Sequence, residues 1–302
     1  MTASHLTTPP DEPATATVAA TALRQPRRRI PLSARIAMAF LALVVLGAIL
    51  GPIVAPYSSV DTDLANRLLA PGERLTDGSV SLLGTDQLGR DMLAQILAGS
   101  RVSVIVGLLT VVIGGFVGLV LGLLAGYFGG WTDTLISRVG DIQLAFPSVL
   151  LAILIAGVLG PSLANIVIAL AVTRWIIFAR VARASAISVR GLDYVDSARV
   201  LGAGHLRILI RYIMPSCWAS LLVAGTAQIG LSMVAEASLS FLGLGVPVSM
   251  ASWGSTIASG RDYLSSAWWI STLPGIVLAL VVVAVGLISN AYRDLTDPRA
   301  AL

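Results

Sequence analysis

Residues 102–128 read VSVIVGLLTVVIGGFVGLVLGLLAGYF, a run with no charged side chain anywhere in it. A bilayer core requires roughly 20 apolar residues to cross it as a helix. Inside hydrocarbon every backbone amide must be satisfied within the chain, which leaves helix as the conformation for such a run. Gly114, Gly118, Gly122 and Gly126 recur every fourth residue. They strip one helix face of side chains, so that a second helix can approach backbone to backbone. The reading for that face is a packing seam.

The rest of the chain is of the same kind. Of its 302 residues 56% are hydrophobic and 12% charged, with a mean hydropathy of +0.87, which places it among integral membrane proteins. Apolar segments at about 36–56, 102–128, 143–160, 163–182, 216–239 and 269–290 are each near spanning length, and predict an all-α protein with six transmembrane helices. The third and fourth are separated only by Gly160, Pro161 and their neighbours, which predicts an antiparallel hairpin.

Residues 1–34 are rich in Thr, Ala and Pro, end in a cluster at Arg27, Arg28 and Arg29, and read as a disordered cytoplasmic arm. The first span then covers 35–57, an extracytoplasmic segment 58–101, a five-helix core 102–292, and a short tail 293–302. Orientation follows from arginine, because positive charge resists translocation. With the N-terminus inside, fourteen arginines fall on the inner side (Arg24, Arg27, Arg28, Arg29, Arg35, Arg138, Arg180, Arg183, Arg190, Arg199, Arg207, Arg211, Arg293, Arg299). Five fall outside (Arg67, Arg74, Arg90, Arg101, Arg261), and Arg174 lies within a span. Both termini are expected in the cytoplasm of a bacterial cell.

All basic residues are arginine, and the chain contains no lysine. A GxxxxGK[ST] nucleotide loop is therefore excluded, and no HExxH pair or GxSxG elbow points to an intramembrane enzyme. Cys217 is the lone cysteine and His5 and His205 lie far apart, so neither an intrachain disulfide nor a metal site is expected.

One polar stretch interrupts the pattern: GLDYVDSARVLGAGHLRILIRYIMP, residues 191–215. Asp193 stands where a cap belongs and Asp196 follows three residues later, predicting a short helix from Tyr194 to Leu201. Gly202 ends it, and Ala203 and Gly204 allow a bend. A second helix from His205 places Arg207 and Arg211 on one face and Leu206, Leu209, Ile210 and Ile213 on the other, until Pro215 opens the fifth span. Two readings stand: an amphipathic hairpin lying on lipid, or a short helix that docks in a partner's groove through the small residues Ser197 and Ala198. Elsewhere Leu88, Met92, Leu93, Ile96 and Leu97 share an apolar face, predicting a helix at the outer interface that Asp86, Arg90 and Asp91 hold by capping or ion pairs. Arg174 and Glu236 are the charges nearest membrane depth. Arg174 is read as lying toward the inner end of its helix, where it can snorkel inward, and Glu236 as holding the turn that follows it or a neighbouring subunit, with substrate contact the lesser alternative.

The run Asp196, Ser197, Ala198, three residues, Gly202, nine residues, then Tyr212, Ile213, Met214, Pro215 resembles the Glu-Ala-Ala loop of ABC importer permeases, with Asp for Glu and Ser for the first Ala. GTDQLGRDMLAQILAGSRVS (84–103), EASLSFLGLGVP (236–247) and SWG (252–254) are similar to segments of the C-type permease of dipeptide, oligopeptide and nickel importers, although VPVSMA replaces the proline-rich run usual after FLGLG. The resemblance implies type I importer architecture and makes 191–215 the element gripped by a cytoplasmic ATPase, through Tyr194, Asp196, Ser197, Ala198, Arg199, Gly202, Ala203, Gly204, Arg207 and Pro215. It implies an outer-segment motif at Gly84, Thr85, Asp86, Gly89, Arg90 and Asp91, and a gate or turn at Glu236, Phe241, Gly243 and Gly245. The implied partners are a second permease, two ATPase subunits or one fused ATPase that hold ATP and Mg, an extracytoplasmic peptide-binding protein, and lipid. No nucleic acid and no cofactor on this chain are expected. The expected function is import of di- or oligopeptides by alternating access. The alternatives are nickel import, which shares these motifs, an ion-gradient secondary transporter, and a scaffold without transport.

Overall fold

A computed structural model describes residues 30–54, 61–247 and 249–296. The basic arm with Arg24 and Arg27–Arg29, and the tail beyond 296 with Arg299, lie outside the described residues. Among the described residues, five helices are long and apolar enough to cross a membrane, or six when one bent pair counts as a single span.

Helix α1 (Leu32–Val54) leads to a polar segment, 61–91, and then to α2 (Met92–Phe128), a single helix of 37 residues that is about 55 Å long. This overturns the expectation of a separate interfacial helix near 88–97. Met92, Leu93, Ile96 and Leu97 form the first turns of α2 itself. Asp91 is its N-cap, accepting from the Ala94 amide at 2.8 Å, and Leu97 packs on α1 against Gly47 and Gly51, which draws this part of the helix into the bundle instead of onto the lipid surface.

The third span is also not the continuous helix expected over 143–160. Helix α3 (Gly130–Leu144) and α4 (Ser148–Leu159) meet at a break of 88°. Pro147 lacks an amide hydrogen and disfavours helical geometry at the residue before it. The 12 residues of α4 cover about 18 Å, less than a bilayer core. Gly160 (φ 78°) and Asn165, whose amide donates to the carbonyls of Leu159 and Gly160, turn the chain into α5 (Leu163–Val189). The antiparallel hairpin read from the sequence is thus present, with α5 reaching seven residues beyond the expected 182.

Along α2, the glycine stripe packs on α5. A Cβ at Gly114 would press on Ala171, at Gly118 on Trp175 and Phe178, at Gly122 on Ala179 and Ala182, and at Gly126 on Arg183 and Ala186. The small residues Ala179, Ala182 and Ala186 answer from α5, so the two backbones meet over roughly three helical turns. Arg183 completes this end of the pair with a two-pronged ion pair to Asp133 of α3, at 2.5 and 2.6 Å. Two short helices, α6 (Asp193–Val200) and α7 (His205–Ile208), then lead to α8 (Met214–Phe241). After it come α9 (Trp253–Gly260) and α10 (Trp269–Thr296).

Candidate functional site

The polar stretch 191–213 folds as a hairpin at the end of the bundle where α2 and α5 finish. Leu192, not Asp193, is the N-cap of α6, with no side-chain cap, so the expected capping box is not formed. Asp193 opens the helix instead, and Asp196 pairs with Arg199 at 2.5 Å while Ser197 Oγ donates to the Asp193 carbonyl. Both carboxylates still occupy the first turn, the positive end of the helix dipole.

Gly202, at φ 82°, ends α6 by the two bonds of a left-handed cap: its own amide to the Arg199 carbonyl and the Ala203 amide to the Ala198 carbonyl. Gly204 precedes α7 in extended geometry.

The second limb differs from the expected amphipathic helix. After α7 the chain makes one π turn over Leu209–Ile213, with the Met214 amide reaching the Leu209 carbonyl, and enters α8 with Pro215 in its first turn. The extra residue in that turn rotates the face. Ile208, Leu209 and Ile213 point into the core, whereas Leu206 and Ile210, expected beside them, are exposed. They border an open groove of about 550 Å³ shared with Arg207, Arg211 and Pro215.

What anchors the hairpin is hydrophobic. Val195 of α6 is buried in one cluster with Leu119, Leu123 and Tyr127 of α2, Ala182 and Ala186 of α5, and Cys217 and Leu221 of α8, with Ala203 packed against its edge; Ala198 of α6 is buried as well. Polar contacts add to it. The Tyr127 hydroxyl meets His205 Nδ1 at 2.8 Å, the Arg199 guanidinium lies 5.7 Å from the centre of the Tyr127 ring, and Tyr194 stacks on Tyr212 at 6.4 Å. Arg190 donates to the Gly126 carbonyl at 2.9 Å, satisfying one of the free acceptors at the end of α2. Away from this anchor, Val200 and Leu201 are each 87% exposed. The hairpin is therefore fixed to three spans by one side and presents an uncovered apolar tip on the other.

Tyr127, Arg190, Val195, Val200 and Leu201 are absent from the sequence-based site. The tip had a signal, two apolar residues directly before the glycine that ends a polar helix. Tyr127 and Arg190 had none, since their partners are distant in sequence.

At the opposite end, residues 61–91 and α9 form a cap. Asp86 is fully buried; its carboxylate accepts from the amides of Leu88 and Arg90, from Arg90 Nε at 2.7 Å and from Gln95 Nε2 at 2.9 Å. Thr85 donates to the Asn66 carbonyl and accepts from the Leu69 amide, and its own carbonyl takes the Trp269 indole N–H at 3.0 Å. Gly84 lies under the Trp269 ring and Gly89 against the Asp63 carbonyl, both too close for a side chain. The motif thus welds the cap to α2 and α10.

Glu236 is fully buried near the end of α8, where Ser240 and Ser103 donate to its two oxygens at 2.7 and 3.1 Å. Beyond the partly exposed Phe241, Gly243 (φ 78°) repeats the cap seen at Gly202, with bonds from Gly243 to Ser240 and from Leu244 to Leu239. Gly245 then folds directly onto Ser240. On α9, Trp253 donates to the Ile96 carbonyl at 2.9 Å.

Arg174 lies close to the middle of α5 rather than toward its inner end. It does not snorkel: its Nη2 reaches across to the Leu231 carbonyl of α8 at 3.4 Å.

The profile of the binding-protein-dependent transport system inner membrane component matches residues 118–302, and that of the N-terminal transmembrane domain of oligopeptide transport permease C matches residues 33–71. The chain belongs to the binding-protein-dependent ABC importer permeases, in their C-type branch. This permease is 41% identical over 261 residues to the di/tripeptide transport system permease protein DppC of Pseudomonas aeruginosa, covering 86% of each chain. It is 38% identical over 266 residues to the dipeptide transport system permease protein DppC of Haemophilus influenzae, covering 88% of this chain and 90% of that one. Its fold is shared with a solved inward-facing structure of the MetNI methionine ABC transporter (TM-score 0.55, 16% identity, 68% of this chain and 98% of that one). The permease is a multi-pass membrane protein and a transport subunit.

Proposed function

We propose that this permease forms half of the translocation path of an ATP-driven importer of di- or oligopeptides, with a companion permease as the other half. A separate ATPase, as two subunits or one fused chain, grips hairpin 191–213 on the cytoplasmic side, and a peptide-binding protein delivers substrate to the cap. The carrying observation is the hairpin: an apolar tip at Val200 and Leu201 is clamped onto a core shared by α2, α5 and α8. A surface fixed in this way passes displacement of its partner to three spans at once. The absence of lysine removes any standard nucleotide loop from this chain, so ATP and Mg reside on the partner. The arginine distribution supports a cytoplasmic hairpin and cytoplasmic termini.

The cycle is a population shift between outward-open and inward-open states, in which ATP and loaded binding protein favour the first and hydrolysis restores the second. The names of the curated relatives support peptide as substrate. The test is uptake into proteoliposomes carrying the whole importer. Labelled di- and tripeptides accumulate only with ATP on the hairpin side and binding protein on the cap side. Accumulation of nickel instead of peptide, or peptide uptake by this chain alone on an ion gradient, refutes the proposal.

A further inference from the structure

The geometry points to Arg174 as a carboxylate-binding residue on the translocation path, one that receives the C-terminal carboxylate of a peptide in transit. This inference rests on the reading of the chain as a peptide permease and names the group that recognises the substrate within it.

Three observations converge on this position. The first is charge. Among the described residues no carboxylate stands within ion-pair distance of Arg174, whose Nε is buried without a partner and whose Nη2 has only the long bond to the Leu231 carbonyl. The other charge at membrane depth, Glu236, is occupied by Ser240 and Ser103. A cation at this depth is excluded from lipid unless it faces a bundle interior, a water-filled space or an anion.

The second observation is the backbone beside it. The α3–α4 break falls at the level of Arg174, because Gln143, at the end of α3, donates to the carbonyls of Val172 (2.9 Å) and Thr173 (3.1 Å) and accepts from Trp175 Nε1 (2.7 Å). Residues 144–150 around the break are exposed on this chain. Irregular backbone at membrane depth is tolerated only where protein covers it or it lines an aqueous cavity, and interrupted helices near the midplane are where transporters build substrate sites.

The third observation is preorganisation. Gln143 holds residues 172, 173 and 175, the immediate neighbours of Arg174 on both sides, and so fixes the backbone from which the guanidinium projects. On the facing helix, Gln228 Oε1 and Ser232 Oγ are buried without partners at positions flanking Leu231. The Ser232 hydroxyl can donate to a carboxylate, whereas the Gln228 oxygen only accepts and suits an N–H of the cation or of the peptide. A guanidinium with free donors matches the two oxygens of a carboxylate. That carboxylate has two sources, the peptide terminus or an acidic side chain of the companion permease, and the geometry of a guanidinium left with a weak, exchangeable bond favours a transient ligand.

The test uses the complete importer in proteoliposomes, with binding protein saturated by a labelled dipeptide or by the same dipeptide as its C-terminal amide. Each variant is compared with the wild-type rate for the same peptide. Arg174→Gln is expected to slow uptake of the free acid at least tenfold and of the amide less than twofold, with the companion permease retained on purification and ATPase stimulation by loaded binding protein intact. Arg174→Lys, which keeps the charge but not the two-pronged fit, is expected to lose clearly less of the free-acid rate than Arg174→Gln. No loss in Arg174→Gln, equal loss for acid and amide, or equal loss in the Gln and Lys variants overturns the inference. Loss of the companion permease from the Arg174→Gln complex also overturns it, by assigning the cation to a carboxylate of that subunit. A wild-type importer that moves neither peptide instead refutes the peptide reading itself.

Discussion

Replacing Val200 and Leu201 together by serine tests the proposed docking of an ATPase on the hairpin. Each side chain is 87% exposed in the permease alone, so nearly all of its apolar surface is available to a groove. Fully burying a valine or leucine contributes roughly 1.5–3 kcal/mol. Ordering of side chains and imperfect polar pairing at an interface offset part of that gain, so a net loss of ~2–3 kcal/mol for the pair is the expected size. That corresponds to a roughly 30- to 150-fold weaker ATPase affinity. The assay is titration of purified ATPase onto permease pairs in nanodiscs, alongside thermal unfolding of the same samples. Unfolding should move little, since exposed substitutions commonly stay within ~0.5 kcal/mol. Wild-type affinity in the double variant refutes the reasoning. So does an affinity loss matched by a large fall in melting temperature, which would mean that the tip is part of the fold and not a contact surface.

Gly122→Val drives a side chain into the Ala179 carbonyl and the Ala182 methyl, and overpacking of this kind costs about 1–3 kcal/mol. Melting in detergent should fall, while Gly115→Ala, whose methyl has ordinary contact with Phe178, leaves it unchanged. Asp86→Ala removes a buried carboxylate that accepts from four donors and should destabilise by ~3–5 kcal/mol, seen as faster proteolysis within 61–91. Gly202→Ala meets no neighbour but holds an L residue at φ 82°, a strain of about 1–2 kcal/mol. ATPase affinity should drop five- to thirtyfold, whereas Gly204→Ala, at φ −68°, should be neutral.

Much of the architecture was legible because hydrocarbon allows the chain few choices. The spans, the α4–α5 hairpin and the glycine stripe all follow from local pattern, and Gly202 announced the end of α6 because only glycine sits easily at its φ. Three features were not legible. The start of α2 at Met92 depends on Asp91 capping and on Leu97 finding α1, a contact made by residues far apart in sequence. Pro147 marks an interruption in the apolar run but not its size, since a kinked span and a break of 88° would carry the same proline. The π turn at 209–213 has no composition of its own, and it alone decides that Leu209 faces inward and Ile210 outward. The same limit applies to the polar ties: Tyr127 with His205 and Gln143 with residues 172–175 exist only once the helices are assembled.

One consequence follows from the length of α2. A single uninterrupted rod joins Asp91, locked in the cap, to Tyr127, bonded to the hairpin. Tilting a shaft of about 55 Å by some ten degrees sweeps one end ~10 Å past the other. On the proposed assembly, arrival of cargo on one face of the membrane and fuel on the other is sensed by the same lever, with no chain of intermediate residues to carry the message.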